Sequence, residues 1–287
     1  MMRLPDWLRQ PLPDQETLQL GRQFSDAGVN TICQEANCPN VTECFSRKQA
    51  AFLILGDTCT RACLFCAVIK AQKQKLTVDS NEPEIIAEFV RRLGIRYALI
   101  TSVTRDDLPD GGAGQFVRAI EAIHNNDPWV KVEVLIPDLE GKAESLKKIA
   151  GSKADVIAHN IETVRRLYPL VRPQADYELS LEVLRKVKEF NPEISTKSSL
   201  MLGMGETEDE LISSLTDLID NKCDFVTLGQ YLAPSPSHYP VQEFIHPDQF
   251  NKYRSLALNL GFKAVFSSPK SRSSYHAEDL SRETMYA

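Results

Sequence analysis

From residue 51 onward, short apolar runs alternate with longer amphipathic ones. AAFLIL, YALITSV, VKVEVLI, ADVIAH, ISTKSSLML, DFVTLG and KAVF are largely apolar and rich in β-branched residues, the pattern of parallel strands buried on both faces. Between them the period lengthens to that of a helix: PEIIAEFVRRLG, GQFVRAIEAIHNN, ESLKKIA, YELSLEVLRKVKEF, TEDELISSLTDLIDN and HPDQFNKYRSLALNLG. The first of these has Pro83 in its opening turn, acids early, arginines late and Gly94 as a stop. TEDE and HPDQ read as helix N-termini, where acids complement the dipole. Strand, helix, strand, repeated six times, predicts a parallel sheet with right-handed crossovers. An open doubly wound sheet would satisfy this pattern. Six or seven units in about 215 residues favour a partial (β/α) barrel of the TIM type, with about six units.

The unusual residues fall just after the strands. They are the cysteines beyond AAFLIL, then TSVTRDDLPDGG, PDLEG, HNIET, GMGET, GQYLAPSPSHYP and SSPKSRSSY. Loops at that end of the strands build the active face of a barrel. Residues 1–50 and the tail 267–287 lie outside the alternation and are expected to pack over one end of the 51–266 barrel. No fixed-period repeat or low-complexity tract interrupts the chain.

Composition narrows the class. The 287 residues can bury a large core, and 33 Lys and Arg against 39 Asp and Glu leave a net charge of −6. That balance argues against nonspecific nucleic-acid binding, which needs a basic footprint. No apolar run approaches a membrane span. MMRLPDWLRQPLPD is too polar and proline-broken for a signal peptide. A cytoplasmic chain with reduced thiols is expected, in which clustered cysteines suggest metal before disulfides.

Six of the seven cysteines lie between residues 33 and 66, in two trios: Cys33, Cys38, Cys44 and Cys59, Cys63, Cys66. Cys223, at the end of a helical pattern, reads as a small buried hydrophobe. The second trio, C-x3-C-x2-C after a strand and the turn GDT, can wrap thiolates around one compact centre. On a [4Fe–4S] cube, three cysteines leave the fourth iron open to a small molecule. Zinc completed by one of the five histidines (His124, His159, His238, His246, His276) satisfies the same count. The first trio alone fits structural zinc or a partial iron–sulfur site equally.

The second trio's spacing, after a first strand and ahead of repeating βα units, resembles the radical S-adenosylmethionine superfamily. CQEANCPNVTEC followed by FLILGDTCTRACLFC resembles, more narrowly, the lipoyl synthase family. PDWLRQPLP, TRDDLPDGGA, NIETVRRLYPLVRP, TLGQYLAPS and the terminal RSSYH extend that resemblance over nearly the whole chain. It implies that Cys59, Cys63 and Cys66 hold a [4Fe–4S] cluster whose open iron chelates S-adenosylmethionine. One electron from this cluster then yields a 5′-deoxyadenosyl radical. It also implies that Cys33, Cys38 and Cys44 hold an auxiliary [4Fe–4S] cluster. The fourth ligand of that cluster is a serine of RSSY, assigned to Ser274 with Ser273 as runner-up. Read without the resemblance, such a Ser-Ser pair is more often part of a turn. SSPKSRSSY is polar where the family commonly has an apolar stretch before its serines.

In this family sulfur enters C6 and C8 of an octanoyl chain held on a lysine of a lipoyl carrier domain. The auxiliary cluster is consumed as the sulfur source. Those carbons have no adjacent carbonyl, so no side-chain base can take their protons and the cofactor must carry the hard step. The implied partners are octanoylated carrier domains of 2-oxoacid dehydrogenase E2 subunits and glycine cleavage H protein. An electron donor such as ferredoxin or flavodoxin is implied too, and neither nucleic acid nor membrane is. Asn160 and Glu162, in HNIET, are candidates for the cofactor's ribose or adenine, with a buried helix cap as the alternative. Ser102 is a candidate for its amino group, although the superfamily's Gly-Gly-Glu triplet is missing there. Gly203 and Gly205 could admit adenine to the backbone or form a turn. KAQKQK (70–75) reads as a solvated loop, with an acidic carrier as its alternative contact. Rival readings are a methylthiotransferase, a biotin-synthase-like enzyme, a two-cluster electron carrier and a zinc-stabilised binding module.

Overall fold

The seven apolar runs all form strands, and they are laid side by side in the order in which the chain makes them. The computed structural model describes residues 3–10, 12–72, 76–275 and 277–278. Asn30–Thr31 (β1) is an antiparallel edge beside Ala51–Ile54 (β2). Six further strands follow in parallel: Tyr97–Ser102 (β3), Lys131–Leu135 (β4), Val156–Ala158 (β5), Ser195–Leu202 (β6), Phe225–Gln230 (β7) and Ala264–Ser268 (β8). The eight strands make one sheet that ends at β1 and β8 without closing, a partial TIM-type barrel as the alternation predicts. Its parallel part has seven strands, one more than six units require.

The helices begin and end where their residues dictate. Asp14 caps Gln15–Asp26 (α1) by accepting from Thr17 N at 2.8 Å, and the sequence alternation gave no hint of this helix. Glu82–Leu93 (α2) has Pro83 in its first turn and stops at Gly94, whose φ of +66° is left-handed. Ala113–Asn126 (α3) and Ala143–Ala150 (α4) follow. Asp176 caps Tyr177–Phe190 (α5), and Thr207 with Glu210 forms a full capping box on Glu208–Asp220 (α6). Pro247–Leu260 (α7) starts after a capping His246.

The residue 1–50 extension is welded to the barrel by aromatic packing. Phe24 of α1 is fully buried and meets Phe45, Phe52 and Phe89, with ring centroids 5.5, 6.0 and 5.5 Å away. Fully burying one such ring contributes roughly 2 kcal/mol. Inside the barrel, Lys197 pairs with Glu133 at 2.8 Å, both 1% exposed, and the Tyr97 hydroxyl donates to the same carboxylate. Cys223 is buried and its thiol donates to Phe225 O at 3.2 Å. Among the described residues, no helix is long and apolar enough to cross a membrane. Residues 73–75 of KAQKQK, His276 and the tail beyond 278 lie outside the described residues.

Candidate functional site

The loops at the C-terminal ends of the strands enclose a cleft of about 890 Å³. It brings Cys33 and Cys38 of the first trio together with Cys66 of the second, Asn160, Glu162, and both tail serines, Ser273 and Ser274.

The second trio rides on a loop held from several sides by residues that are not cysteines. Thr60 is bonded through backbone and hydroxyl to Thr104 O, at 2.9 and 3.0 Å. Arg61, whose side chain is 9% exposed, forks between Asp106 and Asp138 at the ends of neighbouring strands. Its bonds to Asp106 are 2.8 and 2.9 Å, and its Nη2 reaches Asp138 at 2.7 Å. Burial works to raise the Asp138 pKa, but the Arg61 bonds, and positive charge nearby, hold it below the usual carboxylate range. Beyond Arg61, Ala62 N donates to Gln174 and Leu64 N to Val171 O. The far end is tied to the β7–α7 loop: Tyr239 N donates to Leu64 O at 2.8 Å, and the His238 ring bonds Cys66 O at 3.2 Å.

The first trio is carried by two short helices, Ile32–Glu35 with Cys33 and Val41–Ser46 with Cys44, joined by a turn in which Cys38 N donates to Cys33 O. The tail lies across it. Asn40 Nδ2 donates to Lys270 O at 2.6 Å, and Tyr275 OH to Glu43 at 2.7 Å. Arg272 faces Cys38, and Tyr275 lies near enough to Cys44 to sense its charge. The polar tail packs through its own hydrogen bonds, Ser268 to Ser271 at 2.8 Å and Arg272 to Ser271 O at 2.6 Å. It crosses β7 at Gly229, where a Cβ would lie 1.9 Å from Ser271 O. Only glycine admits that crossing.

Four of the thiols are poor anions in this setting. Burial, with Cys38 adding its charge, pushes Cys33 up to about 12. Burial and the neighbouring cysteines push Cys66 up to about 11, and Cys44 and Cys63 also rise. Within each trio the thiols sense one another. Among the described residues, no three His, Cys, Asp or Glu are gathered to hold a single metal ion. Two sets of three soft thiols fit cationic iron–sulfur centres, whose positive irons stabilise the thiolate that burial disfavours at Cys33, Cys44, Cys63 and Cys66.

Asn160 and Glu162 form a polar corner of the cleft. Asn160 donates to Glu162 at 3.1 Å and accepts from Ser273 Oγ at 3.1 Å. Ser274 is left facing the cleft beside it. Glu162 adopts a left-handed φ of +65°, unusual for a residue with a side chain, and burial raises its pKa. Arg172 lies beneath, donating to Asn160 O, Ile161 O and the Tyr168 hydroxyl, and its charge opposes the burial of Cys63. Thr101, not Ser102, lines the cleft; the Ser102 hydroxyl is buried without a hydrogen-bond partner. Gly203 and Gly205 build a turn, in which Gly203 N and Met204 N donate to Glu206. Arg61 lies inside CTRACLFC, Arg172 inside NIETVRRLYPLVRP and His238 inside GQYLAPSPSHYP, but nothing in those stretches singles out the side chains that hold the cysteine loop; for Arg172 and His238 the proximity exists only in three dimensions.

Residues 53–218 match the Radical SAM superfamily. The chain is 52% identical over 282 residues to the lipoyl synthase of Caldicellulosiruptor bescii, covering 97% of this chain and 95% of that one. It is 50% identical over 277 residues to that of Caldanaerobacter subterraneus subsp. tengcongensis, with 96% of each covered. Among solved structures, Streptococcus suis SuiB bound to S-adenosylmethionine superposes with a TM-score of 0.60 at 12% identity, over 83% of this chain and 56% of that one. Methylornithine synthase superposes with a TM-score of 0.54 at 16% identity, over 96% and 89%. At such identities the two superpositions establish the fold alone.

Proposed function

The chain belongs to the lipoyl synthase family of the radical SAM superfamily, and from that premise we propose which of its residues do the family's work. Enzymes of this family insert two sulfur atoms at C6 and C8 of a carrier-bound octanoyl chain. They use S-adenosylmethionine and two [4Fe–4S] clusters. Cys59, Cys63 and Cys66 are the ligands of the radical cluster, and Cys33, Cys38 and Cys44, with Ser274, those of the auxiliary cluster. When bound, the first supplies the electron that splits S-adenosylmethionine and the second supplies sulfur.

The observation that carries this reading is the shared cleft, lined by Cys33 and Cys38 of the first trio, Cys66 of the second and both tail serines. Asn160 and Glu162 offer an amide and a carboxyl to the nucleoside of S-adenosylmethionine. Ser273, by bonding Asn160, leaves Ser274 as the tail oxygen for the first trio. The apolar remainder of the cleft, with Leu232, Val241 and Phe244, suits an alkyl chain and excludes water from the reacting carbons. Residues 1–50, 51–266 and 267–287 act as cluster-bearing extension, barrel and ligand-bearing tail. The partners are octanoylated E2 and H-protein carrier domains and a ferredoxin or flavodoxin. The working compartment is the cytoplasm, where thiols stay reduced.

The test separates the trios. With Cys59, Cys63 and Cys66 all changed to Ala, cleavage of S-adenosylmethionine should stop while about four irons per chain remain. With Cys33, Cys38 and Cys44 changed instead, 5′-deoxyadenosine should still form without thiolated product. Cofactor cleavage in the first variant, or lipoyl product from the second, overturns the assignment.

A further inference from the structure

The loop between β7 and α7 walls the cleft through Leu232, Val241 and Phe244, and it is bolted to the second cysteine trio through one imidazole. His238 Nε2 lies 3.2 Å from Cys66 O, and its Nδ1 lies 2.8 Å from Ser235 Oγ. A carbonyl oxygen can only accept, so Nε2 carries the hydrogen; in the neutral imidazole Nδ1 then accepts, and the Ser235 hydroxyl donates to it. Ser235 Oγ in turn lies 2.8 Å from Ser237 Oγ and accepts Ser237 N at 3.3 Å. Every atom of this chain is thereby fixed in one direction, from Ser237 through Ser235 and His238 to Cys66. Tyr239 adds a second bolt, with its N–H on Leu64 O. Its own position is set by the Tyr231 hydroxyl on Tyr239 O at 2.7 Å, and by the Tyr239 hydroxyl on Met204 O at 3.1 Å. The prolines at 234, 236 and 240 fix φ through the segment, so little backbone freedom is left to lose when the imidazole docks.

Resting on the ligand reading above, we infer that His238 is a positioning residue. In the Nε2–H tautomer held by Ser235, it clamps the Cys66 end of the 59–66 loop to the wall of the substrate cleft. The opposite end of that loop is already clamped by Arg61 on Asp106 and Asp138. His238 thus supplies a polar side-chain restraint at the other end, beside the backbone bonds at Leu64 and the packing of Phe65 against the apolar cluster of Val171 and Tyr231. A loop fixed at both ends presents its thiols in one arrangement; a loop released at Cys66 lets that thiol leave the cluster more often.

The test reads each cysteine separately in the full chain reconstituted with iron and sulfide under anaerobic conditions. The chain is challenged with a chelator and pulsed with iodoacetamide, and alkylation at each of the six cysteines is followed by peptide mass. Loss of one net hydrogen bond in the His238→Ala chain should speed deprotection of Cys59, Cys63 and Cys66 about three- to tenfold. Cys33, Cys38 and Cys44 should keep their unmodified rate. His238→Gln, whose Nε2 can still donate to Cys66 O, should restore the slow rate; His238→Phe, with the shape and no donor, should not. Ser235→Ala should fall between, because the imidazole loses its orienting partner. Equal acceleration at all six cysteines, no acceleration, or a Gln variant as fast as Ala would each overturn the inference. Should the unmodified chain gain no protection at Cys59, Cys63 and Cys66 on reconstitution, the ligand assignment itself fails and this inference falls with it.

Discussion

Changing Arg61 to Ala removes a side chain that joins the 59–66 loop to two strand ends at once. The two carboxylates it leaves are unequal. Asp138 has a side chain 1% exposed and Asp106 one 30% exposed. Asp106 can rehydrate, so its share of the loss is small. Asp138 cannot, and stranding a buried charge costs about 3–5 kcal/mol. Taking roughly 3 kcal/mol, because Glu140 N also donates to Asp138 at 3.0 Å, the melting temperature should fall by about 6–12 °C. Urea unfolding followed by circular dichroism at pH 7 measures the free energy directly. Asp138→Asn neutralises the stranded group, so the double variant should lose clearly less than the sum of the two singles. Arg61→Lys should recover little, since one ammonium cannot fork to both carboxylates. Iron content should fall in parallel at the 59–66 trio. A loss under about 1 kcal/mol for Arg61→Ala, or strict additivity with Asp138→Asn, would refute the clamp.

The clamp also fixes a pH signature. The folded pKa of Asp138 is lowered, so its contribution is complete above the ordinary carboxylate value and is lost as pH falls through the lowered one. The cost of Arg61→Ala should therefore be equal at pH 8 and pH 6 and shrink below about pH 4. Gly229→Ala places a Cβ 1.9 Å from Ser271 O, so tryptic cleavage at Lys270 and Arg272 should accelerate while cofactor cleavage survives; an unchanged digestion rate counts against the crossing. Ser274→Cys should hold the auxiliary cluster at least as firmly, since thiolate is the softer ligand, yet yield little lipoyl product, and full product formation would remove Ser274 from the ligand set. Ser273→Ala should instead raise the KM for S-adenosylmethionine about fivefold by releasing Asn160; a selective loss of sulfur insertion would exchange the two serines' roles.

The barrel was legible because its evidence is local. Each strand is a short β-branched run and each long helix carries its own stop and start, so Gly94, Thr207 and His246 act where the sequence puts them. Helix α1 was missed although Asp14 caps it and Thr17, Leu20 and Phe24 fall at helical spacing on one face, because it precedes the strand–helix alternation that begins at residue 51. The cysteine trios were legible from spacing. The residues that hold them still were not. Arg172 stands more than a hundred positions from the cysteine it faces, and His238 reaches Cys66 across 172 residues. Ser102 shows where position along a strand is not enough. A strand sends successive side chains to opposite faces, so proximity to the strand end does not choose between Thr101 and Ser102, and the cleft takes Thr101.

The sheet's failure to close is what makes room for the first trio. In a closed barrel β8 would pair back onto the first parallel strand; here β2 is paired on that side by the antiparallel β1 instead. The chain before β2 and the chain after β8 therefore both emerge at the open seam, and they meet there. Asn40 binds Lys270 O, Lys270 pairs with Glu43 at 3.7 Å, and Glu43 accepts from Tyr275. These contacts span some 230 residues of sequence and join the segment that carries Cys38 and Cys44 to the one that carries Ser273 and Ser274. Neither segment could reach the cleft through a complete wall of strands. The seam gives both segments a position at the cleft but outside the rigid sheet. Tightening the seam should then act on Cys33, Cys38 and Cys44 alone, because the 59–66 loop is anchored to the strand ends by Arg61.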